Sequence, residues 1–272
     1  MSLTRDTAGQ ETKAVWSSRA GFQLKIADRH AGRWVGAVII LLALSAWEVF
    51  TRMTATPVYL FPPPSIIGRA LAANLPSLLA AGGVTLAEAL AGLVLGSGIG
   101  LGLAILISFW VKLEEGVMSL AILLKSTPII AIAPILTIWL GFGPAPKVVI
   151  TAILTFFPIL INALSGFRQA DRAVIDLMQS WDAGRGEVFR YVRWPGARPY
   201  LLAALKVAVP LSLVGAVVAE WTGASSGLGR AMWLAYTNLN MPVLFAAVFV
   251  LTTLSVTLYG GVVWVEKHLI FW

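Results

Sequence analysis

The chain has 272 residues, of which 58% are hydrophobic and only 12% charged; a soluble domain is nearer half apolar and a quarter charged, so an ordinary water-soluble fold is excluded and a bilayer protein is expected. Its net charge of +7 matches the Lys/Arg excess that membrane proteins keep in cytoplasmic loops, and with no basic stretch interleaved with stacking aromatics, nucleic acid is not an expected partner. The absence of cysteine excludes disulfides and thiolate metal sites, and His30 and His268, near opposite ends, are not expected to meet as ligands, so no metal site is assigned.

Residues 1–32 are polar and mixed in charge, and are read as a cytoplasmic tail preceding a transmembrane domain over 33–272. The run between Arg33 and Arg52 is long and apolar enough for a first span, with Trp34 and Trp47 at its interfaces. A cleaved signal peptide is the rival reading, disfavoured by the long polar lead. Pro62, Pro63 and Pro64 mark an external connector that forbids helix, and Ser65 is placed to cap an amphipathic helix over about 66–80. A second span is expected at about 84–108. Its Gly92, Gly96 and Gly100 share one face and let a neighbouring helix come close.

The third span, about 117–140, contains Lys125-Ser126-Thr127-Pro128 and Pro134, and prolines in a span break the backbone ladder in a way that a transport path can use. A tight turn at 141–146 leads to a fourth span at about 147–164. Hydropathy then drops over roughly 165–205. The fifth and sixth spans fall at about 204–222 and 242–264, and the chain ends on an aromatic anchor, Phe271-Trp272. The fold class is therefore all-α, a polytopic bundle of about six transmembrane helices. With six spans, fifteen Lys/Arg fall on one side and three (Arg52, Arg69, Arg230) on the other, which places both termini and the 165–205 loop in the cytoplasm.

The chain carries no HExxH, no Gly-x-Ser-x-Gly with a partner His, and no GxxxxGK[ST] phosphate loop, so no catalytic residue and no cofactor is assigned, and ATP is not hydrolysed by that route in this chain alone: active transport would draw on a partner or an ion gradient. The informative segment is the long loop. Val174, Leu177, Met178 and Trp181 repeat at helical spacing, as do Val188, Phe189 and Val192. Asp182-Ala183-Gly184-Arg185-Gly186 separates the two pieces, and Pro195 and Pro199 are expected to end the second. Two short amphipathic helices around a turn make a surface that another protein can grip.

From Asp176 to Pro195 this loop resembles the EAA loop of bacterial ABC-importer permeases. Asp176-Leu177-Met178 stands at Glu-Ala-Ala, Val192 at the motif's Ile and Trp194-Pro195 at its Leu-Pro. Asp182 occupies the position of the motif's glycine, with the turn expected to shift toward Gly184. The segments 57–66, 126–143, 156–167 and 217–229 are similar to the nitrate/sulfonate/taurine branch of these permeases, and 241–260 is more similar to permeases for pyrimidine-type vitamin precursors. The resemblance covers roughly 45–270. It implies a type I importer permease of the bacterial inner membrane, in contact with lipid and paired as a homodimer with a second permease copy. It also implies cytoplasmic ABC ATPase subunits that grip a coupling helix, and an extracytoplasmic solute-binding protein that delivers a small polar solute. On this reading Asp176, Asp182, Ala183, Gly184, Arg185, Phe189, Val192 and Pro195 form the ATPase-coupling loop.

Glu88 and Glu220 are acids in or near spans, where acids are costly; both are placed near the external ends of their spans, within reach of water. They join Ser126, Thr127 and Asn162 as translocation-path candidates, with hydrogen bonding at a helix end or to carbonyls freed by Pro128 and Pro158 as the structural alternative. The alternative function is a self-sufficient secondary transporter, which needs ion-coupling acids in mid-span or a repeated half. A membrane-embedded enzyme needs more clustered His, Asp or Glu than the chain has.

Overall fold

The computed structural model describes residues 35–269; the N-terminal tail, His30, Trp34, Phe271 and Trp272 lie outside them. The chain divides into two compact units, one ending at Ile66 and the other beginning at Ile67. The first holds α1 (Val35–Met53). Ile39, Ile40, Leu41 and Leu42 are all exposed on it, a surface suited to lipid and costly in water. At its end the Glu48 carboxylate pairs with Arg52 at 2.6 Å and accepts hydrogen bonds from the Ser65 amide (2.9 Å) and hydroxyl (2.8 Å). Ser65 is thus spent on Glu48 and is not the expected cap. The helix begins one residue earlier, at Pro64, since a proline in the first turn gives up an N–H that has no intrahelical partner.

The expected pair of helices over 66–80 and 84–108 is one helix, α2 (Pro64–Phe109, 46 residues). At about 1.5 Å per residue it is roughly 69 Å long, more than twice the hydrocarbon thickness of a bilayer. Gly82 and Gly83, which fall between the two expected helices, stay helical. A Cβ on Gly82 would sit 3.2 Å from Leu254, so this glycine serves close packing rather than a turn.

The third span is broken. α3 (Glu114–Ser126) and α4 (Ile129–Leu140) meet at 96°. Thr127 and Pro128 are both extended, with ψ of 127° and 112°, because proline drives its predecessor out of the helical region. Pro134, in the middle of α4, interrupts nothing. α5 (Ala145–Arg168) follows, then α6 (Arg172–Ser180), α7 (Arg185–Val188), α8 (Trp194–Glu220), α9 (Leu228–Thr237) and α10 (Met241–Leu269). Among the described residues five helices are long and apolar enough to cross a membrane, and a sixth span exists if the bent α3–α4 pair counts as one.

Pro195 and Pro199 do not end α7. A π-helical stretch (Phe189–Arg193) joins α7 to α8, with the Trp194 amide donating to the Phe189 carbonyl five residues back. The wider turn accommodates the donor that Pro195 lacks. The fifth span accordingly starts well before 204.

The core is built around α5. Gly92, Gly96 and Gly100 of α2 lie against it: a Cβ on Gly96 would fall 2.3 Å from Thr155 Oγ1 and 2.4 Å from the Ala152 carbonyl. On another side Gly215 of α8 meets Thr151, and Gly166 of α5 meets Ala197. The expected glycine face is a helix–helix seam of the kind in which small residues let backbones approach. A separate cluster of Leu78, Leu228, Ala246, Ala247 and Val250 ties α9 and α10 to the first half of α2.

Candidate functional site

Two places in the second unit hold the chemistry. The first is the loop between α5 and α8. Asp171 caps α6 by accepting from the Ala173 amide at 2.9 Å. Glu187 closes the start of α7 by accepting from the Gly184 amide at 2.7 Å. Between the two helices Asp182 takes φ +58°, a left-handed conformation, while Gly184 has an ordinary φ of −68°. The turn therefore stays where the motif places its glycine, and the expected displacement toward Gly184 does not occur. Aspartate is among the few non-glycine residues that visit this region readily. Asp182→Gly is expected to be tolerated and to raise thermal stability by up to about 1 kcal/mol, whereas Asp182→Val should lower it by about 1–2 kcal/mol; melting of the purified chain in detergent checks both.

The loop is bolted to the bundle. Phe189 lies 5.1 Å, centroid to centroid, from both Phe109 of α2 and Phe167 of α5, and 6.2 Å from Trp194 of α8. Arg193 donates to the carbonyl (3.1 Å) and hydroxyl (3.0 Å) of Ser108, and Arg168 forms an ion pair with Glu114. Phe189, Val192 and Pro195 are half-buried, as is Ala183, while Asp176, Asp182, Gly184 and Arg185 are exposed. Phe189 thus anchors the loop rather than presenting itself. The outward apolar face is made by Val174, Leu177 and Trp181, which are 42%, 52% and 76% exposed and share one stripe of α6.

The second place is a buried polar cluster. The Lys147 ammonium donates to Glu88 Oε1 at 2.7 Å, with both side chains more than nine-tenths buried; Glu88 Oε2 has no hydrogen-bond partner among the described residues. Nearby, the Thr85 hydroxyl donates to Glu220 Oε1 at 2.7 Å and accepts from the Leu228 amide at 2.8 Å. Glu220 Oε2 accepts from the Gly229 amide. Glu220, at the end of α8, therefore caps the start of α9, where the positive end of the helix favours a carboxylate. Gly227 makes this possible: it has φ +111°, and a Cβ there would lie 2.2 Å from the Glu220 carboxyl. Glu88 and Lys147 are within electrostatic reach of Glu220. The cluster joins α2, α5, α8 and α9.

Neither acid stands at a water-reachable end as expected: Glu88 is buried in mid-helix and Glu220 is fully buried, since each is enclosed by the helices that supply its donors. Asn162 donates to the Pro158 carbonyl at 2.8 Å and Thr127 to the Leu123 carbonyl at 2.9 Å, while Ser126 and Thr127 are exposed at the α3–α4 break. Lys147 and Thr85 were not singled out by the sequence. A lone lysine beside an apolar run was the available signal for the first; Thr85, one threonine among many, offered none.

Residues 96–271 match the family described as "Binding-protein-dependent transport system inner membrane component". A probable ABC transporter permease protein of Haemophilus influenzae is 32% identical over 86% of this chain and 96% of its own length. The formylaminopyrimidine transport permease protein ThiX of Halalkalibacterium halodurans is 32% identical over 86% and 94%. The taurine transport system permease protein TauC of Escherichia coli is 29% identical over 88% of each. Among solved structures, the MetNI methionine ABC transporter in an inward-facing conformation matches with a TM-score of 0.63 at 20% identity, over 71% of this chain and 96% of that one, a likeness of fold. The multi-pass helical bundle, its glycine seam and its relatives together assign the chain to the inner-membrane permease components of binding-protein-dependent ABC transport systems.

Proposed function

We propose that this permease is the passive half of an ATP-driven importer. Two copies enclose the path, separate cytoplasmic ATPase subunits dock on α6 and α7, and a binding protein delivers the solute from outside. The observation that carries the reading is the α6 stripe of Val174, Leu177 and Trp181. It is apolar and exposed on a polar loop, and the loop is fastened to α2, α5 and α8 by Phe189 and Arg193. A push on α6 is then passed to three helices as a rigid-body motion. Asp176, Asp182 and Arg185, exposed on the same loop, add charge to the contact. The Lys/Arg excess of this loop supports a cytoplasmic location for this end of the bundle and for both termini.

The path is assigned to the neighbourhood of the α3–α4 break, where Ser126 and Thr127 lie beside irregular backbone, with Asn162 as a further polar group. Glu88 and Glu220 serve the path by holding its wall helices together. The solute is assigned as a pyrimidine-type vitamin precursor, supported by the similarity over 241–260 and by the formylaminopyrimidine permease among the relatives; a sulfonate or nitrate-like anion is the second reading, supported by the taurine permease.

Co-purification of the full chain with its ATPase subunit tests the docking face. Leu177→Asp combined with Trp181→Ser should reduce the ATPase retained by about tenfold or more, as loss of an apolar anchor does at protein interfaces, without lowering the melting temperature of the permease. Undiminished retention by the double variant would remove α6 from the interface.

A further inference from the structure

We propose that the groove between the end of α2 and the inner side of α6–α7 binds the phosphodiester headgroup of an anionic phospholipid. The groove has a volume of about 480 Å³, and Lys112, Arg185 and Arg193 line it with no aspartate or glutamate among its walls. At this end two cations outside the groove do find acids: Arg168 pairs with Glu114, and Lys206 with Glu266 at 2.5 Å. None of the three groove cations has a salt bridge among the described residues. Arg193 holds Ser108 through Nη1, and its buried Nε has no acceptor among the described residues. Three cations without ion pairs along one acid-free groove call for an anion, and phosphate is the anion whose oxygens match a guanidinium fork.

The position of the groove identifies the source of the phosphate. α2 ends at Phe109, and the next residues, Trp110 and Val111, are 60% and 68% exposed. An exposed tryptophan beside a lysine where a span ends is the pattern of a membrane interface, the depth of lipid headgroups. Basic pockets at that depth on the cytoplasmic side are suited to acidic lipids. The groove also leaves the docking stripe free. Ile175, Gln179 and Ala183 of the loop line it, while Val174, Leu177 and Trp181 point to another side of the same helix. A lipid seated there bridges Lys112, just past the end of α2, to Arg185 of the loop, and so braces the loop against α2.

The test is native mass spectrometry of the full chain in detergent, titrated with phosphatidylglycerol or phosphatidylcholine. Phosphatidylglycerol should bind in preference, and Lys112→Gln with Arg185→Gln should weaken its binding by about tenfold while leaving phosphatidylcholine unchanged. Arg69→Gln, an exposed cation on α2 outside the groove, should change neither. Lys112 is exposed, so Lys112→Glu alone provides a second variant that does not disturb the core. Equal phosphatidylglycerol binding by parent and groove variants overturns the proposal. So does displacement of the lipid by inorganic phosphate at matched concentration, which would make the groove a soluble-anion site. Loss of ATPase retention by Lys112→Glu with lipid binding intact also overturns it, and would hand the groove to the protein partner.

Discussion

Replacing Lys147 with methionine is expected to destabilise the permease by about 3–5 kcal/mol, the usual effect of removing one partner of a buried pair and leaving the other charge uncompensated. Among the described residues the ammonium is Glu88's one hydrogen-bond partner, at 2.7 Å, and Glu88 Oε2 already lacks one. Without Lys147, an acid inside the bundle faces a second carboxylate, that of Glu220, across the same cluster. Neutralising both ends is expected to recover it: Lys147→Met with Glu88→Leu removes the pair together and should restore most of the loss. Melting in detergent and the yield of folded protein give the readout. A single variant as stable as the parent would mean that the pair carries no net energy and that the cluster is held by Thr85 and Glu220 alone.

Gly96→Val should be comparably damaging, for a different reason. The new Cβ falls 2.3 Å from Thr155 Oγ1 and 2.4 Å from the carbonyl of Ala152. A threonine can rotate away, but the backbone of α5 cannot, so α2 and α5 must separate along the seam. Overpacking of this kind costs about 3 kcal/mol or more when backbone is the obstacle. Gly98, two residues on, provides the control, because a Cβ there meets nothing within 4 Å. Gly98→Ala should be neutral or stabilising by up to about 1 kcal/mol, the helix-propensity difference. If both substitutions behave alike, the seam is not close-packed and the account of the core is wrong.

Much of this architecture was legible in the residues. Span positions followed from hydropathy, because lipid demands long apolar runs whatever the tertiary fold. The glycine face was legible because four-residue spacing has one geometric meaning on a helix, and the loop because its apolar period changed against a basic background. What escaped was decided by tertiary contact. Two helices were expected on either side of 82–83, yet α2 runs straight through, with Gly82 packed against Leu254. Pro195 and Pro199 looked like a stop, yet a π turn leads into Pro195 and α8 runs on through Pro199. Pro128 broke a span and Pro134 did not, and nothing local to either proline separates the two. Glu88 and Glu220 were correctly marked as unusual, but their partners are 59 and 135 residues away, beyond any local pattern. Asp182 is a further case: the turn was expected to shift toward Gly184, yet the left-handed backbone stays at the motif's glycine position with aspartate in it.

The account's central claim is that this permease moves its solute only when an ATPase works on it. The most direct measurement is uptake into proteoliposomes holding the permease with its ATPase subunit, supplied with the binding protein and radiolabelled formylaminopyrimidine, with ATP inside or outside and with or without an ionophore. The account predicts uptake that requires ATP on the ATPase side, survives collapse of the ion gradients, and is absent when the permease is reconstituted alone. Uptake by the permease alone, driven by a proton or sodium gradient and abolished by the ionophore, would contradict it and make the chain a self-sufficient transporter.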